Sequence, residues 1–133
     1  MSIIVDTNIL VRAITLDPPA EGRRATEILG SDIVVIPTIA VCEMIWVLRR
    51  LYKLTHLELV QATKALLAIE SVVLDRGAIT AGLIMMEAGG DFADGAIAYE
   101  GQGLGGDTFA SFDKKAIIVL KGQGQKCVLL EGT

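Results

Sequence analysis

The sequence predicts one three-layer α/β/α domain over residues 1–133, with a central parallel sheet. Short β-branched apolar runs recur along the chain, and longer amphipathic segments with helix-capping residues separate them. Strands that alternate with helices pair in parallel through right-handed crossovers, so helices cover both faces of the sheet. A chain of 133 residues, 52% of them hydrophobic, is long enough to bury one core.

The first elements are a strand and a capped helix. Ser2–Val5 is β-branched and apolar throughout, which is typical of a buried strand. Asp17 is expected to cap a helix that has Pro18 at its first position. The helix then runs through Ala20–Leu29 and ends at Gly30, a residue suited to a helix C-terminus.

The same alternation continues toward the middle of the chain. Ile33–Ile36 is a second β-branched run, and Thr38 is expected to cap a long helix that ends near Tyr52. The run Thr55–Glu58 has the spacing of a capping box, so it predicts a further helix to about Ile69.

The second half has weaker strand signals. Val72–Leu74 is a short strand candidate, and Asp75 is expected to cap a helix through Glu87. Asp91 opens the next helix, which runs to about Gln102. Three last strands are expected, of which the middle one is the strongest: Asp107–Ser111, Ala116–Leu120 and Cys127–Leu130.

Several classes of protein are excluded or disfavoured. No apolar stretch reaches the roughly 20 residues that span a bilayer. The start, MSIIVDTN, lacks the basic and apolar regions of a secretory signal, so we expect a cytoplasmic protein. Its two cysteines are therefore expected to be buried thiols. A single histidine argues against both a zinc site and a Ser/His/Asp triad.

Four carboxylates follow apolar runs or lie in the first turns of helices: Asp6, Glu43, Asp94 and Asp113. In an open parallel sheet such positions lie at one edge, outside the carboxyl ends of the strands. Carboxylates that converge there repel one another unless cations lie between them. Hard divalent cations such as Mg²⁺ bind oxygen ligands from carboxylates, water and phosphate. The pattern therefore indicates metal-assisted chemistry on a phosphate.

Asp6 and Glu43 each have a structural alternative. Asp6 can be a turn or cap residue, but its place after a buried strand favours the site, with Thr7 and Asn8 in supporting roles. Glu43 can face water or pair with Arg50. Its neighbours are nearly all apolar, so we expect it to be buried and to reach back toward Asp6.

The later aspartates are similarly open to two interpretations. Asp91 suits a helix N-cap and is assigned mostly to capping, while Asp94 precedes a small apolar helix and is the better ligand. Asp113 follows a strand candidate, and Ser111 two residues earlier supports the site. The alternative for Asp113 is a surface ion pair with the following residues, Lys114 and Lys115.

The formal net charge of −4 looks unfavourable for a nucleic-acid-binding protein. Five of the negative charges belong to the four carboxylates and Asp91, and without them the rest of the chain carries +1. Bound divalent ions convert an acidic pocket into one that accepts phosphate. Net charge therefore does not exclude a nucleic-acid substrate.

The sequence resembles the PIN domain, and within it the VapC-type toxin ribonucleases of toxin–antitoxin modules. The resemblance covers nearly the whole chain and rests on the order and spacing of four motifs and the Ile9–Arg12 stretch. Gly95 departs from the pattern, because alanine is usual there, and Gly101–Gly106 is an additional glycine-rich stretch. The motifs are Asp6-Thr7-Asn8, Glu43 within a helix, Asp94 before a small apolar helix, and Ser111-Phe112-Asp113.

The resemblance implies a Mg²⁺- or Mn²⁺-dependent endoribonuclease that hydrolyses RNA with a metal-activated water. Asp6, Glu43, Asp94 and Asp113 are carried over as the catalytic and metal-binding residues, with Asp6 and Asp94 as the leading direct ligands. Asp91, Thr7, Asn8 and Ser111 are supporting residues. Arg12, Lys114 and Lys115 are expected to contact the RNA backbone. A homodimer and a cognate antitoxin protein are the expected partners, because the helix after Thr38 is apolar nearly all round and a domain of this size has few places to bury it completely. The alternative is a helix fully buried within the monomer.

Three other functions remain open. The chain can be a housekeeping PIN nuclease in RNA maturation or repair, or a metal-free PIN-like module that only binds RNA or protein. A Mg²⁺-dependent phosphatase is the third alternative.

Overall fold

The computed structural model of this chain describes residues 2–31 and 33–132. Within that part of the chain lie seven helices and five strands, and every strand pair is parallel. The predicted α/β class, with helices between parallel strands, is therefore confirmed. None of the helices in this part is long and apolar enough to cross a membrane. Backbone contacts divide the chain into two compact units, Met1–Arg76 and Gly77–Thr133.

The first unit contains three strands and four complete helices. In chain order they are β1 (Ser2–Ile4), α1 (Thr7–Thr15), α2 (Pro19–Leu29), β2 (Ile33–Val35), α3 (Thr38–Arg50), α4 (His56–Leu67) and β3 (Val72–Val73). No helix was predicted over α1, because Asp6-Thr7-Asn8 was interpreted as a turn or as site residues and the Ile9–Arg12 stretch after it was assigned to no element.

The sheet of the first unit has β2 at its centre, with β1 and β3 on either side. Ser2 pairs with Ile33 and Val35 pairs with Val73, and the Val5 N–H continues the ladder to the Val35 carbonyl at 3.1 Å. Parallel neighbours end at the same edge of a sheet. The N-termini of α1 and α3, which follow β1 and β2 directly, therefore start beside each other.

Helix α3 has one buried face and one exposed face. Its buried residues are Ala40, Val41, Met44, Ile45 and Leu48. Full burial of a side chain such as Met44 or Leu48 stabilises the fold by about 1.5–3 kcal/mol. Ile39, Glu43 and Trp46 lie on the exposed face. The expectation that Glu43 is buried was therefore wrong, although the apolar side chains of Ile39 and Trp46 lie on the same exposed face.

The helix starts in this unit differ in part from the predictions. The N-cap of α2 is Pro18, not Asp17, and the Asp17 carboxylate accepts a hydrogen bond from the Tyr52 hydroxyl at 3.2 Å. Thr38 is the first residue of α3 instead of its cap. The capping box of α4 is confirmed: Thr55 accepts from the Glu58 N–H and the Glu58 carboxylate accepts from the Thr55 N–H.

The second unit contains nearly all of α5 (Arg76–Glu87), then α6 (Phe92–Gly103), β4 (Phe109–Ser111), α7 (Lys114–Gly122) and β5 (Cys127–Leu129). β4 and β5 pair in parallel, with Phe109 opposite Cys127. Met85, Ala98, Ala116 and Leu120 form a buried cluster against which Phe109 and Cys127 pack. Both cysteines of the chain are thiols, but each is half-buried, not fully buried as expected.

The strongest of the three last strand candidates was wrong. Ala116–Leu120 lies inside α7, whose buried residues are Ala116, Ile117 and Leu120. That spacing is helical, whereas a strand would bury alternate residues. Ile118, at the centre of the run, is exposed. A short β-branched run does not by itself distinguish a strand from a buried helix turn.

Candidate acidic active site

An open pocket of about 470 Å³ lies at the carboxyl edge of β1 and β2. Its polar lining comes from Asp6, Thr7 and Asn8, at the start of α1, and from Glu43, in the second turn of α3. Ile4, Val5, Pro37, Ile39 and Ala40 form the apolar part of the lining. The end of one strand and the helix after its neighbour therefore bring two carboxylates to a single concave surface.

Asp6 is both a helix cap and a pocket residue. Its carboxylate oxygen Oδ1 accepts a hydrogen bond from the Ile9 N–H at 3.1 Å, and it is the N-cap of α1. The capping bond fixes the side chain, and the positive end of the helix dipole favours its negative charge. The side chain remains exposed to the pocket. Both interpretations of Asp6 are therefore compatible.

Glu43 reaches the pocket from the exposed face of α3. The Thr7 hydroxyl donates a hydrogen bond to its Oε2 atom at 3.3 Å. Arg50, the ion-pair partner considered as the alternative, instead lies over the Trp46 ring, 5.5 Å from its centroid. Thr7 therefore orients the carboxylate toward the start of α1, where Asp6 lies.

A second acidic group belongs to the second unit. Asp91 is the N-cap of α6 and accepts a hydrogen bond from the Ala93 N–H at 3.4 Å, as predicted. Asp94, in the first turn of the same helix, is half-buried. Burial raises the pKa of Asp94 above its ordinary value, and the negative charges of Asp91 and Asp113 raise it further. The negative charges of Asp91 and Asp113 therefore act on the Asp94 carboxylate.

Asp113 is held by the turn between β4 and α7. Its Oδ1 atom caps α7 and accepts from the Lys115 N–H at 2.9 Å and from the Ala116 N–H at 3.3 Å. Its own N–H donates to the Ser111 hydroxyl at 2.9 Å. Lys114 and Lys115, considered as ion-pair partners of Asp113, are exposed in the first turn of α7. Ser111 thus supports Asp113 through the backbone.

The sequence-predicted site residues accordingly lie in two groups. One group lines a pocket and consists of Asp6, Thr7, Asn8 and Glu43. The other consists of Asp94 and the two aspartates whose charges act on it, Asp91 and Asp113. Among residues 2–31 and 33–132, no three Asp, Glu, His or Cys side chains stand in an arrangement that could hold a metal ion. That the two groups meet at one centre stays a prediction.

The family model described as PIN domain matches residues 3–119. This chain belongs to the PIN domain family. The match covers both acidic groups, from Asp6 to Asp113. No curated protein matches the chain. PIN domains are generally nucleases and generally depend on a divalent metal ion.

The donor atoms of this PIN domain suit a hard divalent cation. Both groups offer carboxylate oxygens, which Mg²⁺ and Mn²⁺ prefer as ligands. Burial raises the pKa of Asp94, the nearby charges of Asp91 and Asp113 raise it further, and a cation bound among these carboxylates would oppose the shift. The type of donor atom therefore fits the metal that the family generally uses.

Proposed function

We propose that this protein is a Mg²⁺-dependent endoribonuclease, the toxin component of a type II toxin–antitoxin system acting in the cytoplasm. Mn²⁺ is the alternative ion. One observation carries the proposal: Asp94 is half-buried beside Asp91 and Asp113, in a chain of a family whose members are generally nucleases. A carboxylate whose pKa is raised by burial and by nearby negative charges is characteristic of a functional site.

The proposed metal ligands are the four carboxylates carried over from the family resemblance. Asp6 and Asp94 would hold the metal directly, and Glu43 and Asp113 would complete the set. When bound, the ion supplies an activated water and neutralises charge on the phosphate. Asp91 keeps its capping role at the start of α6. A nucleophilic side chain is unnecessary, since water attacks the phosphorus.

The remaining polar groups orient the catalytic side chains and the substrate. Thr7 occupies Oε2 of Glu43, which leaves Oε1 to orient the attacking water and accept its proton. Ser111 and the N-terminus of α7 fix Asp113. Arg12, Lys114 and Lys115 are proposed to contact backbone phosphates, as the family resemblance implies. Unpaired regions of RNA are the proposed target, because their backbone can enter an open pocket.

The toxin assignment adds two protein partners, a second copy of the chain and an antitoxin. Exposed apolar side chains on and beside α3 support a protein contact: Ile39, Trp46 and Leu51. A housekeeping PIN nuclease would share the chemistry, but its expression would not arrest growth. Growth arrest on induction, with new RNA ends mapped shortly afterwards, tests the toxin assignment. Growth without arrest, with RNA cleavage retained in vitro, would favour the housekeeping nuclease.

Cleavage of an end-labelled RNA tests the enzyme assignment. We expect cleavage with Mg²⁺, none with EDTA, and a loss of at least about a hundredfold in Asp6→Asn and Asp94→Asn, because several kcal/mol of charge stabilisation is removed. Glu100→Gln is the matched control, since Glu100 is an exposed residue of the same helix as Asp94 and lies outside the acidic group.

Three outcomes would contradict the ribonuclease assignment. Equal cleavage by the variants and by the chelated protein would assign the activity to a contaminant. RNA binding without cleavage under any metal condition would favour the metal-free binding module. Release of phosphate from small phosphate esters, with RNA left intact, would favour the phosphatase.

A further inference from the structure

A second groove, of about 360 Å³, adjoins the acidic pocket of the first unit. Asp6 and Asn8 line both the pocket and the groove, so they are a shared wall. The rest of its lining comes from Ile9 and Arg12, in α1, and from Glu21, Arg24, Ala25 and Ile28, in α2. We refer to it as the arginine groove. Its volume lies in the range of small-molecule pockets, about 300–1,000 Å³.

Both arginines are held by ion pairs that leave donors available. The Arg12 Nε atom bonds to Glu21 Oε1 at 2.9 Å, and its two terminal amino groups bond to no residue that the structure describes. The Arg24 Nη1 atom bonds to Glu27 Oε2 at 3.1 Å, with the two side chains 71% and 65% exposed. Exposed pairs of this kind contribute little to stability, so a stronger anion can replace the glutamate.

We propose that the arginine groove binds a backbone phosphate of single-stranded RNA, next to the phosphate that enters the acidic pocket. The inference rests on the proposed ribonuclease function and deepens it, because it adds Arg24 as a substrate-binding residue. A guanidinium group presents a planar set of donors that matches two phosphate oxygens at once. Because Asp6 and Asn8 line both the pocket and the groove, this phosphate would be the neighbour, along the RNA strand, of the phosphate that reacts.

RNA is favoured over an acidic peptide because of where the groove lies. A strand of RNA carries a phosphate on every nucleotide, so one molecule can occupy both the arginine groove and the adjoining pocket. The sequence analysis did not single out Arg24, since only the fold distinguishes it from the neighbouring Arg23.

That neighbour supplies a matched control. Arg23 is exposed on α2 and does not line the groove. Consecutive helical residues point about 100° apart. Arg23→Gln and Arg24→Gln therefore make the same change in charge on the same helix, and only the second alters the groove.

The test measures the affinity of a fluorescent single-stranded RNA in EDTA, where cleavage is blocked, over a series of KCl concentrations. We expect Arg24→Gln to weaken binding about tenfold relative to Arg23→Gln. The slope of log affinity against log salt should fall by about 0.7, the value for one lost phosphate contact on a single strand. With Mg²⁺, KM should rise while kcat stays unchanged. Equal melting temperatures would show that both variants fold.

Equal affinities and equal salt slopes for the two variants would overturn the inference while leaving the ribonuclease function intact. An unchanged RNA affinity with weaker binding of an oligoglutamate peptide would also overturn it and assign the groove to a protein partner. A wild-type chain that cleaves no RNA, with the salt-slope difference retained, would refute the proposed function but support RNA binding in the groove.

Discussion

The Thr7 hydroxyl donates a hydrogen bond of 3.3 Å to the Glu43 carboxylate, and the two residues are 36 positions apart in the chain. Thr7 is the first residue of α1 and directly follows Asp6, so one short segment caps a helix and orients a carboxylate of another. The bond is side chain to side chain and exposed. Thr7 is therefore a positioning residue for Glu43.

Replacing Thr7 by valine keeps the shape of the side chain and removes the donor. We expect Thr7→Val to lower metal affinity or kcat between about tenfold and a hundredfold, as is typical when a group that orients a metal-site residue is lost. Thr7→Ser should restore most of the activity, because it retains the hydroxyl. Metal titration followed by RNA cleavage rates measures both. If valine and serine behave alike, the hydroxyl does not matter.

Removing the charge of Asp94 should stabilise the metal-free protein at neutral pH. Burial and the charges of Asp91 and Asp113 raise the pKa of Asp94 above its ordinary value of 3.8. At pH values between the ordinary pKa and the raised pKa of Asp94, the folded state binds more protons than the unfolded state. The free energy of unfolding therefore falls as pH rises through that window. The Asp94→Asn variant does not lose stability in this way, because asparagine does not titrate.

Melting temperatures in EDTA, at pH values below and above that window, measure the effect. We expect the difference between Asp94→Asn and the wild type to grow in favour of the variant as pH rises. Mg²⁺ should stabilise the wild type more than the variant. A variant that is less stable than the wild type at neutral pH in EDTA would contradict the account of the Asp94 pKa.

Gly95 is required by packing, although alanine is usual there in the proteins this chain resembles. A Cβ atom on Gly95 would lie 2.5 Å from the Ala81 carbonyl oxygen and 2.8 Å from the Met85 Cβ atom. Alanine is the better helix former by about 1 kcal/mol. The clash is with backbone of α5, so Gly95→Ala should still lower the free energy of unfolding by about 1–3 kcal/mol.

The control for that substitution lies in the same helix. A Cβ atom on Gly101 would meet nothing within 4 Å. Gly101→Ala should therefore raise the free energy of unfolding by about 0.5–1 kcal/mol. Urea denaturation measures both variants. Opposite signs are expected, and two stabilising substitutions would mean that α5 and α6 are less closely packed than described.

The proposed homodimer should depend on the exposed face of α3. Trp46 is 58% exposed, and the Arg50 guanidinium lies over its ring. Tryptophan and arginine are both enriched in protein interfaces. We expect Trp46→Glu to shift the chain from dimer to monomer in sedimentation velocity. Ile118→Glu, at a similarly exposed position on α7, should leave the dimer intact. A wild-type chain that stays monomeric at all concentrations would refute the dimer.

Local signals in the sequence were enough for elements with specific caps. The Thr55–Glu58 run predicted the start of α4, and Asp91 predicted the start of α6, because capping chemistry acts within one turn. The α/β class followed from the alternation of strands and helices. It also placed Asp6 at a strand end, beside the pocket that the structure shows.

Signals that depend on the surrounding fold were less informative. The run Ala116–Leu120 reads equally well as a strand or a helix turn, and its cap, Asp113, had been considered only as a ligand or an ion-pair partner. The exposure of Glu43 depends on which side of α3 faces the sheet. Apolar composition alone does not determine that side, so burial was predicted where exposure is found.

Asp6 supports its helix through a hydrogen bond that an amide oxygen can also accept. Asparagine caps helices as well as aspartate does. Under the proposed mechanism, a single-base change from aspartate to asparagine at this position would therefore abolish hydrolysis while leaving the fold intact.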